Sequence, residues 1–182
     1  MALTLPLHTD RLTLRPTKLS DRDALLAIYA DEGVARFLLD DPWTSAETAV
    51  QVNKRVQRLG LNTEQAALAL VIEADGQVVG DVAMWCTDDT GQKVEIGWVI
   101  APWVAGRGYA TEAAGGLIRA AVPAYQLHRV EAQLDGRNDA SARVCEKLGM
   151  RREAYLRQNW WSKGEWTDTL IYGLLASEVE ED

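Results

Sequence analysis

The sequence predicts a single mixed α/β domain: a mostly antiparallel central sheet flanked by helices, in the order β-α-α-β-β-β-α-β-α-β-β. Three observations carry this. The chain has 182 residues, 47% apolar and 25% charged, which is one domain's worth of ordinary globular composition. Two β-rich runs, 66–73 and 77–85, flank Asp75-Gly76, a strong hairpin signal, and a third strand at 93–100 extends them into a meander. After the meander, strand and helix patterns alternate.

Each element has a local reason. Residues 9–15 alternate, with Leu12 and Leu14 on one face and Thr13 and Arg15 on the other, and Pro16 ends this strand. Ser20 is expected to cap a helix whose stripe is Leu25, Leu26, Ile28 and Tyr29, with Asp21 and Asp23 near its positive end. A helical turn over 34–38 follows, then a break at Asp40, Asp41 and Pro42. Ser45, with Thr48 nearby, opens an amphipathic helix carrying Val50, Val52, Val56 and Leu59, and Gly60 is its expected stop. Beyond the meander come a helix over 108–121, a strand over 129–134, a helix over 140–148 stopped by Gly149, and two closing strands, 151–160 and 166–175, turned by Lys163-Gly164. The domain spans 1–176. Residues 177–182 read as an acidic solvated tail.

Composition removes several function classes. The net charge of −8 argues against a nucleic-acid binder, which needs a basic face. Cys86 and Cys145 lie 59 residues apart and form no CxxC pair, and His8 and His128 are too scattered for a metal site, so no metal is expected. No apolar stretch approaches a membrane span, and no signal pattern opens the chain, so the expected compartment is the cytoplasm. The seven Trp, against one Phe, need places.

The most informative stretch is 95–113, EIGWVIAPWVAGRGYATEA, where a strand runs through a loop with Gly106 and Gly108 into a helix. Free N–H groups at a helix start, and glycines that admit close backbone approach, suit a phosphate, and Arg107 adds a charge-assisted contact. A dinucleotide fingerprint needs a third glycine where Thr111 stands, and the GxxxxGK[ST] loop is absent.

This stretch resembles the pyrophosphate loop [RQ]xxGx[GA] of the GNAT acetyltransferases, aligned on Ala105, Gly106, Arg107, Gly108, Tyr109 and Ala110, with Ala105 in place of the leading Arg or Gln. The words TDRLTLRP, EIGW, GRGYATEA, HRVEAQLDGRNDASARVCEKLGM and KGEWTDTLIYGLL, in this order, are similar to the RimJ/RimL-type branch, the ribosomal-protein-alanine acetyltransferase-like proteins, over about 9–176. The resemblance implies acetyl-CoA as cofactor and acetyl transfer to an amine by direct attack in a ternary complex. It places the pyrophosphate on the amides from Gly106 to Thr111, the pantetheine arm along Trp98, Val99 and Ile100, and Asn138 and Ser141 near the cofactor. A peptide N-terminal α-amine is the acceptor the branch suggests. A polyamine or aminoglycoside-like amine, or a catalytically weak acyl-CoA-binding module, stays open as an alternative, and the branch allows a homodimer.

Amine acetylation needs a neutral amine, a polarised carbonyl and a proton for the leaving thiolate. An α-amine is roughly one-tenth neutral at pH 7 and a lysine about one part in 2500. Glu95 matches the glutamate of the histone-acetyltransferase branch and is the candidate general base; a strand-surface carboxylate is the plainer alternative. The amide of Val99 or Ile100 is the candidate oxyanion donor. Asn138 also suits a helix cap. Seven residues after it, where many GNAT enzymes carry a tyrosine acid, stands Cys145; Ser141 or water are the other proton donors, and a small buried hydrophobe is the alternative for the thiol. Trp43, Trp160 and Trp161 are candidates for an acceptor-side wall, which with Asp40, Asp41 or Asp168 nearby would favour a cationic amine.

Overall fold

The structure is a computed structural model and describes residues 3–179. Its strands are β1 (Leu7–His8), β2 (Thr13–Pro16), β3 (Leu59–Gly60), β4 (Ala67–Ala74), β5 (Gln77–Cys86), β6 (Lys93–Ile100), β7 (Arg129–Asp135), β8 (Arg151–Ser162) and β9 (Glu165–Leu175). The helices are α1 (Arg22–Tyr29), α2 (Glu32–Ala35), α3 (Ser45–Val56), α4 (Tyr109–Tyr125) and α5 (Asp139–Lys147). All strands join one sheet in the order β1-β2-β4-β5-β6-β7-β9-β8, with β3 added to β4. Every pairing is antiparallel except β6 with β7.

The meander forms as its turn chemistry dictates. Asp75 and Gly76 both have positive φ, 50° and 74°, the backbone of a tight hairpin turn. The closing hairpin repeats this at Lys163 and Gly164, with φ of 50° and 83°. Strand β4 is nearly continuous in apolar residues because helices cover one face and neighbouring chain the other; Leu68, Leu70, Val71 and Ile72 are fully buried.

Several boundaries differ from the sequence expectation, each for a local reason. Helix α3 is capped by Thr44, not Ser45: Thr44 Oγ1 accepts from Glu47 N while the Glu47 carboxylate accepts from Thr44 N. The helix ends at Val56, and Gly60 belongs to β3 because Leu59 and Gly60 pair with Leu68 and Ala67. Ser20 caps nothing; Asp21 accepts from Lys18 N and pairs with Arg15, fixing the entry to α1. Glu178 is no free tail residue, since it pairs with Arg151 at 2.8 Å and accepts from Leu175 N. Glu180, Glu181 and Asp182 lie outside the described residues.

The feature that positions the site is where β6 and β7 part. They pair only over Lys93–Arg129, Val94–Val130 and Glu95–Glu131. Beyond Glu95, β6 continues with β5 alone, to Ile100 against Gly80, and β7 continues with β9. A parallel pair that separates halfway leaves a wedge with one open strand edge.

Candidate active site

The glycine loop stands at the mouth of this wedge. Gly106 and Gly108 have φ of 78° and 81°, a region that costs other residues about 1–2 kcal/mol. Gly108 is the N-cap of α4 and has no side chain to cap it, so the first amides of a 17-residue helix are free for an anion. The loop is strapped from behind. Glu112 accepts from Thr9 Oγ1 (2.6 Å), Arg11 N (2.8 Å) and Arg11 Nε (2.7 Å), and Arg11 Nη1 donates to Arg107 O at 3.0 Å.

A cavity of about 530 Å³ runs from this loop along the open edge of β6. Of the residues expected there, Trp98, Val99, Ile100, Ala105, Gly106 and Gly108 line it, as do Tyr109, Ala110, Thr111, Asn138 and Ser141. Arg107 does not: its carbonyl is engaged by Arg11 and its exposed side chain is absent from the wall. The opposite wall comes from α2 and the chain after it, with Asp31, Val34, Phe37 and Leu38, and from Arg143 and Lys147 on α5. Those two cations stand four residues apart on one helix face, a spacing legible in the sequence and not exploited above.

The phase of the open edge follows from one hydrogen bond. Ala101 N donates to Val79 O (2.8 Å), so the odd-numbered residues of β6 turn their amides to β5. The amides of Trp98 and Ile100 therefore face the wedge, and Val99, one of two expected oxyanion donors, spends its amide on the ladder. Asn138 is the N-cap of α5: its Oδ1 accepts from Ser141 N (3.0 Å), leaving the amide NH₂ to donate.

A second cavity, about 240 Å³, adjoins the first, and Phe37, Leu38, Trp98, Val99, Asn138 and Ser141 line both. Its floor is the sheet face carrying Asp81, Ala83 and Trp85, paired in register with Val99, Gly97 and Glu95. Gly97 lets the Trp85 ring lie against it: a Cβ there would meet the ring at 3.4 Å. Glu95 lies on the same face just beyond the wall, where Gln133, a wall residue, donates a long 3.4 Å bond to its Oε2. Burial, and after it the neighbouring Glu131, raise the Glu95 carboxyl to about 7 against the opposing pull of Lys93.

Across this cavity stands a cluster that the sequence did not announce. Tyr29 Oη donates to Asp81 Oδ1 (2.7 Å), Arg55 Nε donates to Asp81 Oδ2 (2.9 Å), and Arg55 Nη2 donates to Tyr29 Oη (3.0 Å). Burial and the Asp81 carboxylate push Tyr29 well above the ordinary phenol range, so it stays protonated. The closing hairpin reaches over to this side, where Lys163 Nζ donates to Ala35 O on α2.

Trp43, Cys145, Trp160 and Trp161 all lie outside the two cavities. Trp43 is no wall residue: it is 4% exposed, lines neither cavity and stacks on Tyr29 with ring centroids 3.8 Å apart. Cys145 packs as a small buried hydrophobe, the alternative to a proton donor. It is fully buried, lines neither cavity, and burial lifts its thiol to about 12. Trp160 and Trp161 are exposed on β8, outside both cavities, with Trp161 edge-on to Trp166. Asp168 takes the Tyr155 hydroxyl and Gln158 N.

A strand edge with free amides, leading from an anion-binding helix start to a second cavity, fits a long amide-bearing ligand with a phosphate end. The model of the acetyltransferase (GNAT) domain matches residues 11–151. The chain belongs to the GNAT acetyltransferase family. It is 27% identical over 172 residues to the uncharacterized N-acetyltransferase p20 of Bacillus licheniformis, covering 94% of this chain and 97% of that protein. The solved structure of Mycobacterium smegmatis RimJ in complex with CoA-disulfide superposes with a TM-score of 0.84 at 25% identity, covering 100% of this chain and 93% of that one. The spermidine N-acetyltransferase of Vibrio cholerae, solved with CoA and spermine, superposes with a TM-score of 0.79 at 19% identity, covering 93% and 98%. The protein is thus an acetyl-CoA-dependent GNAT acetyltransferase of RimJ/RimL-like form.

Proposed function

We propose that this acetyltransferase acts on an α-amine, such as a peptide or protein N-terminus, by direct attack within a ternary complex. The observation that carries the reading is the junction of the two cavities at Trp98, Val99, Asn138 and Ser141, with Glu95, raised to about 7, just beyond the second cavity's wall at Gln133. Acetyl-CoA supplies an activated acetyl group on a thiolate leaving group. The amides of Gly106 to Thr111 hold its pyrophosphate, Arg143 and Lys147 add positive charge to that wall, and the Trp98 and Ile100 edge and Asn138 hold its amide-bearing arm. The Trp98 amide, which faces the wedge where the two cavities meet, donates to the thioester carbonyl oxygen. Glu95 takes the amine's proton through a water next to Gln133, and Ser141, on the wall of both cavities, donates toward the thiolate.

Proton matching favours the α-amine. A base near pH 7 faces an amine near 8 across about one unit, against more than three for a lysine or polyamine nitrogen. The cavity's carboxylates are also already engaged: Asp81 by Arg55, and Asp135 by Nε and Nη2 of Arg137. A polyamine therefore finds no free carboxylate among the described wall residues. The test is acetylation of N-terminal peptides, spermine, spermidine and aminoglycosides with acetyl-CoA, read by mass spectrometry. Modification of peptide α-amines is expected; turnover confined to polyamines or aminoglycosides overturns the reading.

A further inference from the structure

We infer that the acceptor is acidic: its amine is carried on a molecule with a carboxylate a short distance away, and Arg58 receives that carboxylate. This rests on the α-amine reading and extends it to the rest of the acceptor.

The argument is a charge census of the acceptor cavity. Its described wall holds two carboxylates, Asp81 and Asp135, and two guanidinium groups, Arg55 and Arg58. Asp81 is matched by Arg55, whose Nε goes to the carboxylate, Nη2 to Tyr29 and Nη1 to Gln51. Asp135 is engaged by Arg137 through two bonds of 3.0 and 2.8 Å, and the same guanidinium reaches Glu165 through Nη1 at 2.8 Å. Arg58 has neither an ion pair nor a side-chain hydrogen bond among the described residues. The wall itself balances, two carboxylates against two guanidinium groups, and Arg58 is the cation on it whose side chain has no partner among the described residues, inside a protein whose net charge is −8.

Arg58 is also held in place rather than left on a loose loop. Its N–H donates to Arg55 O at 3.0 Å and its carbonyl accepts from Ala69 N at 2.8 Å, so its backbone is tied to α3 on one side and to β4 on the other. The side chain is only half-buried, so the charge is tolerated without a partner, yet it faces the cavity shared with Trp85 and Trp98. A planar guanidinium with all its donors free matches a carboxylate in two-point contact. Polycations meet the opposite: an unpaired like charge on the wall.

The test compares kcat/KM, with acetyl-CoA fixed, for peptides of one sequence carrying Glu, Gln or Lys at the second and third positions. Free serine and free glutamate, and spermine, are separate arms. The wild-type protein is expected to favour the Glu peptide over the Gln peptide about tenfold, and the Lys peptide least. In Arg58→Gln the Glu-to-Gln ratio is expected to fall to about 1, and in Arg58→Glu the order is expected to invert toward the Lys peptide. Turnover of the free amino acids that Arg58→Gln abolishes places the recognised carboxylate on the acceptor's own main chain; discrimination among the peptides places it on a side chain, and either supports the inference. Peptides acetylated without regard to charge together with no Arg58-dependent turnover of the free amino acids, or a charge preference unchanged in Arg58→Gln, overturn it and leave the α-amine reading standing. Spermine turnover with no peptide or amino-acid product overturns the α-amine reading itself.

Discussion

Replacing Glu95 by Gln separates its role as a base from its role as a strand residue. With a carboxyl near 7 and an α-amine near 8, the fraction of complexes with both groups deprotonated is about 1 in 1000 at pH 6 and about 1 in 20 at pH 7, a rise of about fiftyfold. If the amine alone titrates, the rise over the same interval is about ninefold. Glu95→Gln is therefore expected to flatten the pH dependence of kcat/KM from the steeper to the shallower slope and to lower its plateau by about 10²-fold or more. The assay is thiol release from acetyl-CoA at saturating cofactor from pH 6 to 9. Folding is a separate readout. The folded pKa lies above the unfolded one, so ionising Glu95 costs stability as pH rises from 4.5 to 7, and the variant is expected to melt no lower than the parent at pH 8. A well-folded variant with the same fiftyfold rise and an unchanged plateau refutes the reasoning.

Three further outcomes follow from the geometry. Gly108→Ala forces a Cβ into left-handed backbone at the anion-binding helix start, and a rise of about tenfold in the acetyl-CoA KM is expected in initial-rate measurements. Cys145→Ala removes a buried thiol that reaches neither cavity; kcat is expected to stay within about twofold while thermal unfolding shows a loss of about 1 kcal/mol, and a hundredfold loss of kcat would restore the thiol to the chemistry. Trp43→Ala empties the site stacked on Tyr29 at a cost of about 3–5 kcal/mol, on the order of 10 °C in Tm, and a variant that melts like the parent contradicts the packing described.

Much of the fold was legible because its signals are local. Asp75-Gly76 and Lys163-Gly164 adopt the positive φ that their residue types allow, and the strands they join follow. Asn138 caps α5, as its place before Asp139, Ala140 and Ser141 indicates. Even the miss at Thr44 was local, a choice between two adjacent hydroxyl residues settled by the reach of Glu47. Trp43 and Cys145 were misplaced for a different reason. Each has a side chain equally suited to a core and to a pocket, and the choice depends on what distant chain covers it.

By itself, then, the sequence determined the alternation of strands and helices, the glycine loop that opens α4, and the residues along the β6 edge, because backbone preference and short-range spacing act within a few residues. Only the tertiary structure decided which groups are available for chemistry. It brought Tyr29, Arg55 and Asp81 together from three elements, set Glu131 beside Glu95 on the next strand, and left Arg58 without a side-chain partner among the described residues on the wall of the second cavity. Charge and proton affinity answer to burial and to neighbours in space, and those neighbours exist only after the sheet has assembled.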